Sequence, residues 1–183
     1  MDYFKKIFKE SFIVVILSSI IGIFTGTFLS ENDDIFYSFP IILLLLPSLN
    51  SLIGDISTIL TSRLTSHLYI GTIQPKIKTS NRLIQDFYGL FITVVLSIFA
   101  LILIGYSVGI ITGIKIVNPI LIISVILISI ILLFIIMFIL LFISSILLFK
   151  LGKDPNNYLI PITTSLLDFL TPLLLILLIQ IFI

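Results

Sequence analysis

The longest uncharged stretch of the chain is the feature that most constrains its fold. From Asn118 to Phe149 no residue carries a charge, and most are Ile, Leu, Phe or Val. A transmembrane helix needs about 20 consecutive apolar residues to cross a hydrocarbon core about 30 Å thick. This stretch is long enough to do so, and we therefore predict that the chain is an integral membrane protein.

The composition of the whole chain favours the same class. Of its 183 residues, 59% are hydrophobic and 10% are charged, whereas soluble domains average about 45–50% apolar and about 25% charged residues. A net charge of +1 gives no general attraction to nucleic acid. The absence of cysteine excludes disulfides and thiolate metal sites, and a single histidine, His67, excludes a multi-histidine zinc site within one chain.

Five apolar segments are predicted to span the membrane. They cover residues 11–29, 36–62, 87–113, 118–149 and 158–183. The first follows several lysines and resembles a signal peptide, but its length and the apolar segments after it favour a retained helix. The predicted fold is all-α: a single domain of residues 1–183 with five transmembrane helices.

The basic residues predict the orientation. Nine of the ten lysines and arginines lie in three places: before the first span, between the second and third spans, and between the fourth and fifth spans. Lys115, after the third span, is the exception. The positive-inside rule places that side in the cytoplasm. We predict a multi-pass protein of the cell membrane with a cytoplasmic N-terminus and an external C-terminus. His67 is interpreted as a loop residue, and Arg63 as an interface anchor that could pair with Asp55 two turns away.

Glycines recur at intervals of four in spans one and three. Gly22 and Gly26 form one such series, and Gly105, Gly109 and Gly113 form the other. Small residues at this spacing let the backbones of membrane helices approach each other closely. Both series therefore predict close helix packing.

Two aspartates inside the spans need a physical explanation, because a carboxylate at mid-membrane costs about 2.5–3.5 kcal/mol and usually has a partner or a function. Each belongs to a polar stripe at helical spacing: Ser51, Asp55, Thr58 and Ser62 in the second span, and Thr164, Asp168 and Thr171 in the fifth. Two such stripes facing each other would form a hydrated passage. Nearby prolines and a glycine would free backbone carbonyls to act as ligands there: Pro47, Gly54, Pro161 and Pro172.

The oxygens available in these stripes indicate a class of ligand. Carboxylate, hydroxyl, amide and carbonyl oxygens suit hard divalent cations such as Mg²⁺, Ca²⁺ and Mn²⁺. With no thiol and one histidine, softer metals fit less well.

At these two segments the chain resembles the membrane domain of the MgtE magnesium transporters, and more closely their archaeal half-size and animal solute-carrier relatives. The first motif, roughly Pro-x-x-x-Gly-x-x-Gly-Asn followed by an Arg, is matched by Pro47, Gly54, Asp55, Ser62, Arg63, Leu64, Thr65 and Gly71. The second is matched by Asp154, Pro155, Asn156, Asn157, Pro161, Thr164, Ser165, Leu166, Asp168, Phe169 and Thr171. The chain departs from these motifs at Ser51 and Leu167, where glycine is usual, and at Asp55, where asparagine is usual.

The resemblance implies a divalent cation transporter rather than an enzyme, with Mg²⁺ as the transported ion and Mn²⁺ or Ca²⁺ as alternatives. It implies that Asp168 lines the pore and binds the cation, and it extends less directly to Gly54 and Asp55. The predicted metal site consists of Asp168, Asp55, Thr164, Gly54 and Asn50. The regulatory domains that accompany the bacterial transporters have no counterpart among these motifs.

The same resemblance implies an assembly. The family builds its pore between two five-helix units, and this chain matches one unit. We therefore expect one half of a two-unit pore, completed by a second copy or by a different half-size partner, and surrounded by membrane lipid.

Two other functions remain open from the sequence. An intramembrane aspartyl protease also uses two membrane aspartates, but its Gly-x-Gly-Asp motif would require glycine where Leu52 stands. A membrane subunit that packs against a partner without transporting anything would tolerate replacement of both aspartates.

Overall fold

A computed structural model describes residues 2–182, and in that range it is helical with no strand. The helices are α1 Asp2–Glu31, α2 Asp33–Ser38, α3 Pro40–Ile70, α4 Asn81–Ile111, α5 Pro119–Lys150 and α6 Pro155–Phe182. Five of them are long and apolar enough to cross a membrane, with α1 contributing its part from Phe12 to Glu31. The prediction of an all-α protein with five membrane-spanning helices is therefore confirmed.

The second span begins later than the residues 36–62 predicted from the sequence. The chain first forms the short helix α2 and then leaves helical geometry at Phe39, whose φ and ψ are −129° and 70°. Phe39 precedes Pro40, and the proline ring disfavours helical geometry for the residue before it. Pro40 then starts α3, where its missing N–H removes no helical hydrogen bond.

At its other end, α3 continues about two turns beyond the predicted boundary. It ends at Ile70, and Gly71 follows with a φ of 80°, which only glycine adopts readily. His67 therefore lies in the last turn of α3, and the prediction that it is a loop residue is wrong. These turns remain helical because their polar side chains find partners on α4 and in the following loop, as described below.

The remaining boundaries follow from local capping. The Ser80 hydroxyl accepts a hydrogen bond from the Leu83 N–H at 3.2 Å and so starts α4 six residues before the predicted span. Pro119 and Pro155 each open a helix. The predicted end of the last span, residue 183, lies outside the described residues.

Helices α3, α5 and α6 pack against one another and form the centre of the bundle. Helix α5 is the most apolar of the three, and its buried face includes Leu133, Phe134 and Met137. Helix α4 packs mainly on α3, and α1 packs on α6. Because α1 touches little else, most of its long apolar side chains remain on the outer surface, where lipid would cover them.

The two glycine series have different environments. A Cβ added to Gly105 would lie 2.1 Å from a methyl carbon of Leu45, and one added to Gly109 would lie 2.8 Å from Ile41. These two glycines therefore allow α4 to lie close to α3, as predicted. In contrast, nothing lies within 4 Å of a Cβ added to Gly22, Gly26 or Gly113. Within this chain the prediction of close helix packing is therefore wrong for these three glycines.

Candidate functional site

A cavity of about 460 Å³ lies between α3 and α6. It is lined by Leu46, Pro47, Asn50, Ser51, Gly54, Asp55, Thr58, Thr164 and Asp168. All five residues of the predicted metal site are among them. The structure thus brings together residues from two helices that are more than a hundred positions apart in the sequence.

Both carboxylates lie halfway along their helices. Asp55 is the central residue of α3, and Asp168 is close to the centre of α6. Both side chains are exposed on the surface of the single chain rather than buried in its core. The cavity therefore opens on the side of the bundle, near the midpoint of both helices.

Asn50 and Asp168 connect the two walls of the cavity. The Asn50 amide nitrogen donates a hydrogen bond to Asp168 Oδ1 at 3.3 Å. The amide oxygen of Asn50 is buried and has no hydrogen-bond partner among the described residues. Asn50 therefore presents the donor nitrogen of its amide to the Asp168 carboxylate.

Local backbone features add oxygens to the α6 wall. The Thr164 hydroxyl donates a hydrogen bond to the Pro161 carbonyl at 2.9 Å. The lone pairs of the hydroxyl oxygen therefore remain available to a cation or a water in the cavity. Pro172 has no N–H to donate to the carbonyl four residues earlier, which is that of Asp168. The Asp168 carbonyl therefore lacks its usual helical donor four residues later, and the Asp168 carboxylate lines the cavity.

Gly54, on the α3 wall, leaves room in the cavity and does not serve to bring another helix close. It is buried, yet nothing lies within 4 Å of a Cβ added there. The missing side chain enlarges the cavity instead of allowing another helix to approach.

The cavity fits a hydrated cation better than a fully coordinated one. Among the side chains that the structure describes, no three of His, Cys, Asp or Glu come together as a metal-binding group. Mg²⁺ keeps several waters and is usually bound through one or two carboxylates. A liquid water takes up ~30 Å³, so the volume accommodates an octahedral ion with its first shell of water.

A second polar cluster holds α3 to α4 away from the cavity. The Arg63 guanidinium donates two hydrogen bonds to Asp86 Oδ1, at 2.9 Å from Nε and 2.5 Å from Nη2. His67 Nε2 lies 3.3 Å from Asp86 Oδ2, and His67 Nδ1 lies 2.9 Å from the Thr72 hydroxyl. These contacts explain why the last two turns of α3 remain helical.

Arg63 therefore pairs with Asp86, and the suggested pairing with Asp55 is wrong. Eight helical residues separate Asp55 from Arg63, which amounts to a rise of about 12 Å along α3. Arg63 also points toward α4, whereas Asp55 faces the cavity on the side of α6. Asp55 is left without a basic partner on its own helix, which strengthens the case that it serves the cavity.

Asp86 is the residue that the sequence analysis missed. Its carboxylate is fully buried, although it lies only five residues after the start of α4. The sequence pattern that could have indicated this cluster is an aspartate directly before one apolar span and an arginine and a histidine near the end of the previous span. Only the packing of α4 on α3 shows that these three side chains meet.

The fold and the cavity define a class: a polytopic helical membrane protein with an acidic cavity halfway across its spans. A comparison with protein-family models matched MgtE, described as a divalent cation transporter, over residues 46–178. The match covers most of the chain and includes both walls of the cavity, so the chain belongs to the MgtE family of divalent cation transporters. Comparisons with curated proteins and with solved structures gave no match.

Membership settles the general activity. This is a family of transporters and not of enzymes, in agreement with the prediction. The match supports neither an aspartyl protease nor a subunit without transport activity.

Proposed function

We propose that the protein carries Mg²⁺ across the membrane through the cavity between α3 and α6. The observation that carries the proposal is the convergence of Asp55 and Asp168, each halfway along its helix, on one cavity with room for a hydrated ion. Asp168 provides the main negative charge, Asp55 adds a second one, and Thr164 adds a hydroxyl oxygen. Gly54 keeps the passage wide, and Asn50 lies next to Asp168.

Mg²⁺ fits this site because the ion retains much of its water and needs few protein ligands. The cavity offers two carboxylates and otherwise neutral oxygens. Ca²⁺ is commonly bound by six to eight oxygens and would exchange more of its water for protein ligands than Mg²⁺ does. A negative membrane interior favours entry by ~2.3 kcal/mol per charge per 100 mV, and a divalent ion gains twice that amount.

A second unit would complete the pore. Both carboxylates are exposed on the surface of one chain at mid-membrane, where contact with lipid would cost about 2.5–3.5 kcal/mol for each. A second copy, related by a two-fold axis that passes the cavity, would cover both and double the number of carboxylates around the ion. We therefore propose a homodimer whose two cavities join at the axis; a different half-size unit could take the same place.

The basic residues support an orientation for this pore. The α3–α4 and α5–α6 connections carry Lys76, Lys78 and Lys153, and Arg82 lies in the first turn of α4 at the same end of the bundle. The positive-inside rule places that end in the cytoplasm of a cell that carries the protein in its cell membrane. The end that holds α2 would then face outside, together with the C-terminus of α6.

Purified protein in lipid vesicles provides the direct test. We expect Mg²⁺ influx, followed with a dye inside the vesicles, that exceeds the influx into vesicles without protein and rises with an inside-negative potential. Mn²⁺ and Ca²⁺, tested in parallel, would show whether the cavity selects among hard cations. If none of the three ions enters faster than in protein-free vesicles, the proposed function is wrong.

Disulfide formation tests the dimer, because the chain contains no cysteine. We expect Ser51→Cys, at the exposed mouth of the cavity, to form a covalent dimer in the membrane on mild oxidation. Phe99→Cys, on the outward surface of α4 at a similar depth, is the matched control and should remain monomeric. Equal crosslinking of the two variants would indicate random collision and contradict the proposed interface.

A further inference from the structure

We propose that Asn50 competes with the transported cation for Asp168, and that this competition sets how tightly the pore holds an ion. The inference rests on the proposed function. Its basis is the hydrogen bond from the Asn50 amide nitrogen to Asp168 Oδ1 at 3.3 Å across the cavity. An amide N–H₂ group can only donate, so it occupies a position beside the carboxylate that a cation or its waters would otherwise take.

The other end of the amide argues against a role as a ligand. Asn50 Oδ1 is buried, and among the described residues it has no hydrogen-bond partner. It therefore points into packed protein and not into the cavity. Reversing the amide would place its oxygen against an oxygen of Asp168, where the two would repel each other. This arrangement refines the role expected for Asn50 from the sequence, because its amide nitrogen contacts the Asp168 carboxylate.

The first motif specifies no residue at the position of Asn50. Asn50 stands between Pro47 and Ser51, the two ends of the unspecified part of that motif. The resemblance to the transporter family thus assigns it no function. Its effect on Asp168 arises only because α3 and α6 meet at this level.

A competing donor has a physical purpose in a pore. Conduction requires binding that is strong enough for an ion to enter and weak enough for it to leave. Two carboxylates in one cavity favour tight binding of a divalent ion, and a donor on one of them weakens it. The loss of a hydrogen bond to a charged group changes an equilibrium constant by about tenfold or more.

The test is the concentration dependence of Mg²⁺ influx into vesicles for Asn50→Leu, which keeps a similar volume and removes the donor. We expect the half-saturating Mg²⁺ concentration to fall about tenfold and the maximal rate to fall as well, because the ion leaves more slowly. Asn50→Ala should shift both values in the same direction and replaces the leucine variant if that variant does not fold. Ser48→Ala, on α3 but facing the groove toward α4, is the matched control and should leave both values unchanged.

Two outcomes would overturn the inference while leaving the proposed function intact. A higher half-saturating concentration in both Asn50 variants would show that the side chain helps to bind the ion. Unchanged values in both would show that its contact with Asp168 does not affect transport. A wild-type protein that moves none of the tested cations would instead contradict the proposed function itself.

Discussion

Asp168→Ala is expected to reduce Mg²⁺ uptake to the background of a transport-deficient host. The substitution removes the carboxylate that faces the cavity from the centre of α6. A cation that sheds part of its water at mid-membrane would then lose the main charge that compensates for it. The measurement is the uptake of Mg²⁺, or growth in limiting Mg²⁺, at matched protein levels.

The controls for this variant separate a lost pore from a lost fold. Asp168→Ala should reach the membrane in normal amounts, and the Ser51→Cys crosslink should still form in its background, because Asp168 is exposed and its hydrogen bond from Asn50 is a small part of the contact between α3 and α6. Asp34→Asn removes an exposed carboxylate far from the cavity, near the end of α6, and should transport normally. Normal uptake by Asp168→Ala would disprove the assignment of this cavity as the pore.

Arg63→Ala is expected to destabilise the protein more than Asp86→Asn. Removing Arg63 leaves the Asp86 carboxylate, whose side chain is 0% exposed, without its strongest partner. Such an uncompensated buried charge costs about 3–5 kcal/mol. Asp86→Asn leaves the Arg63 guanidinium, which is 47% exposed and can reach water or lipid headgroups. The loss of the Asp86 charge should therefore lower the stability by only about 1 kcal/mol. Thermal unfolding in detergent measures both.

A double variant gives this prediction its control. Arg63→Met with Asp86→Leu removes both charges and keeps apolar contact between α3 and α4, so it should recover much of the stability that Arg63→Ala loses. An Asp86→Asn variant as unstable as Arg63→Ala would contradict the asymmetry. Because this cluster lies away from the cavity, variants that still fold should retain Mg²⁺ transport.

The helices were predictable from the sequence because lipid imposes a strong local requirement. A segment such as α5 must satisfy its backbone internally and present apolar side chains, and both properties are visible residue by residue. The boundaries were less accurate, because they depend on particular contacts. Helix α3 begins later than predicted because of Phe39, and α4 begins earlier because of Ser80. The partners of His67 stabilise two further turns at the end of α3.

For the polar residues, too, the positions were predictable from the sequence and the contacts were not. The sequence by itself determined that Asp55 and Asp168 lie inside apolar spans, because burial in lipid makes such carboxylates conspicuous. Only the tertiary structure decided which side chains they meet. Asn50 reaches Asp168 from another helix, and Arg63 turns away from Asp55 to Asp86. Helical spacing fixes which face of a helix a residue occupies, but the neighbour on that face depends on how the helices pack together.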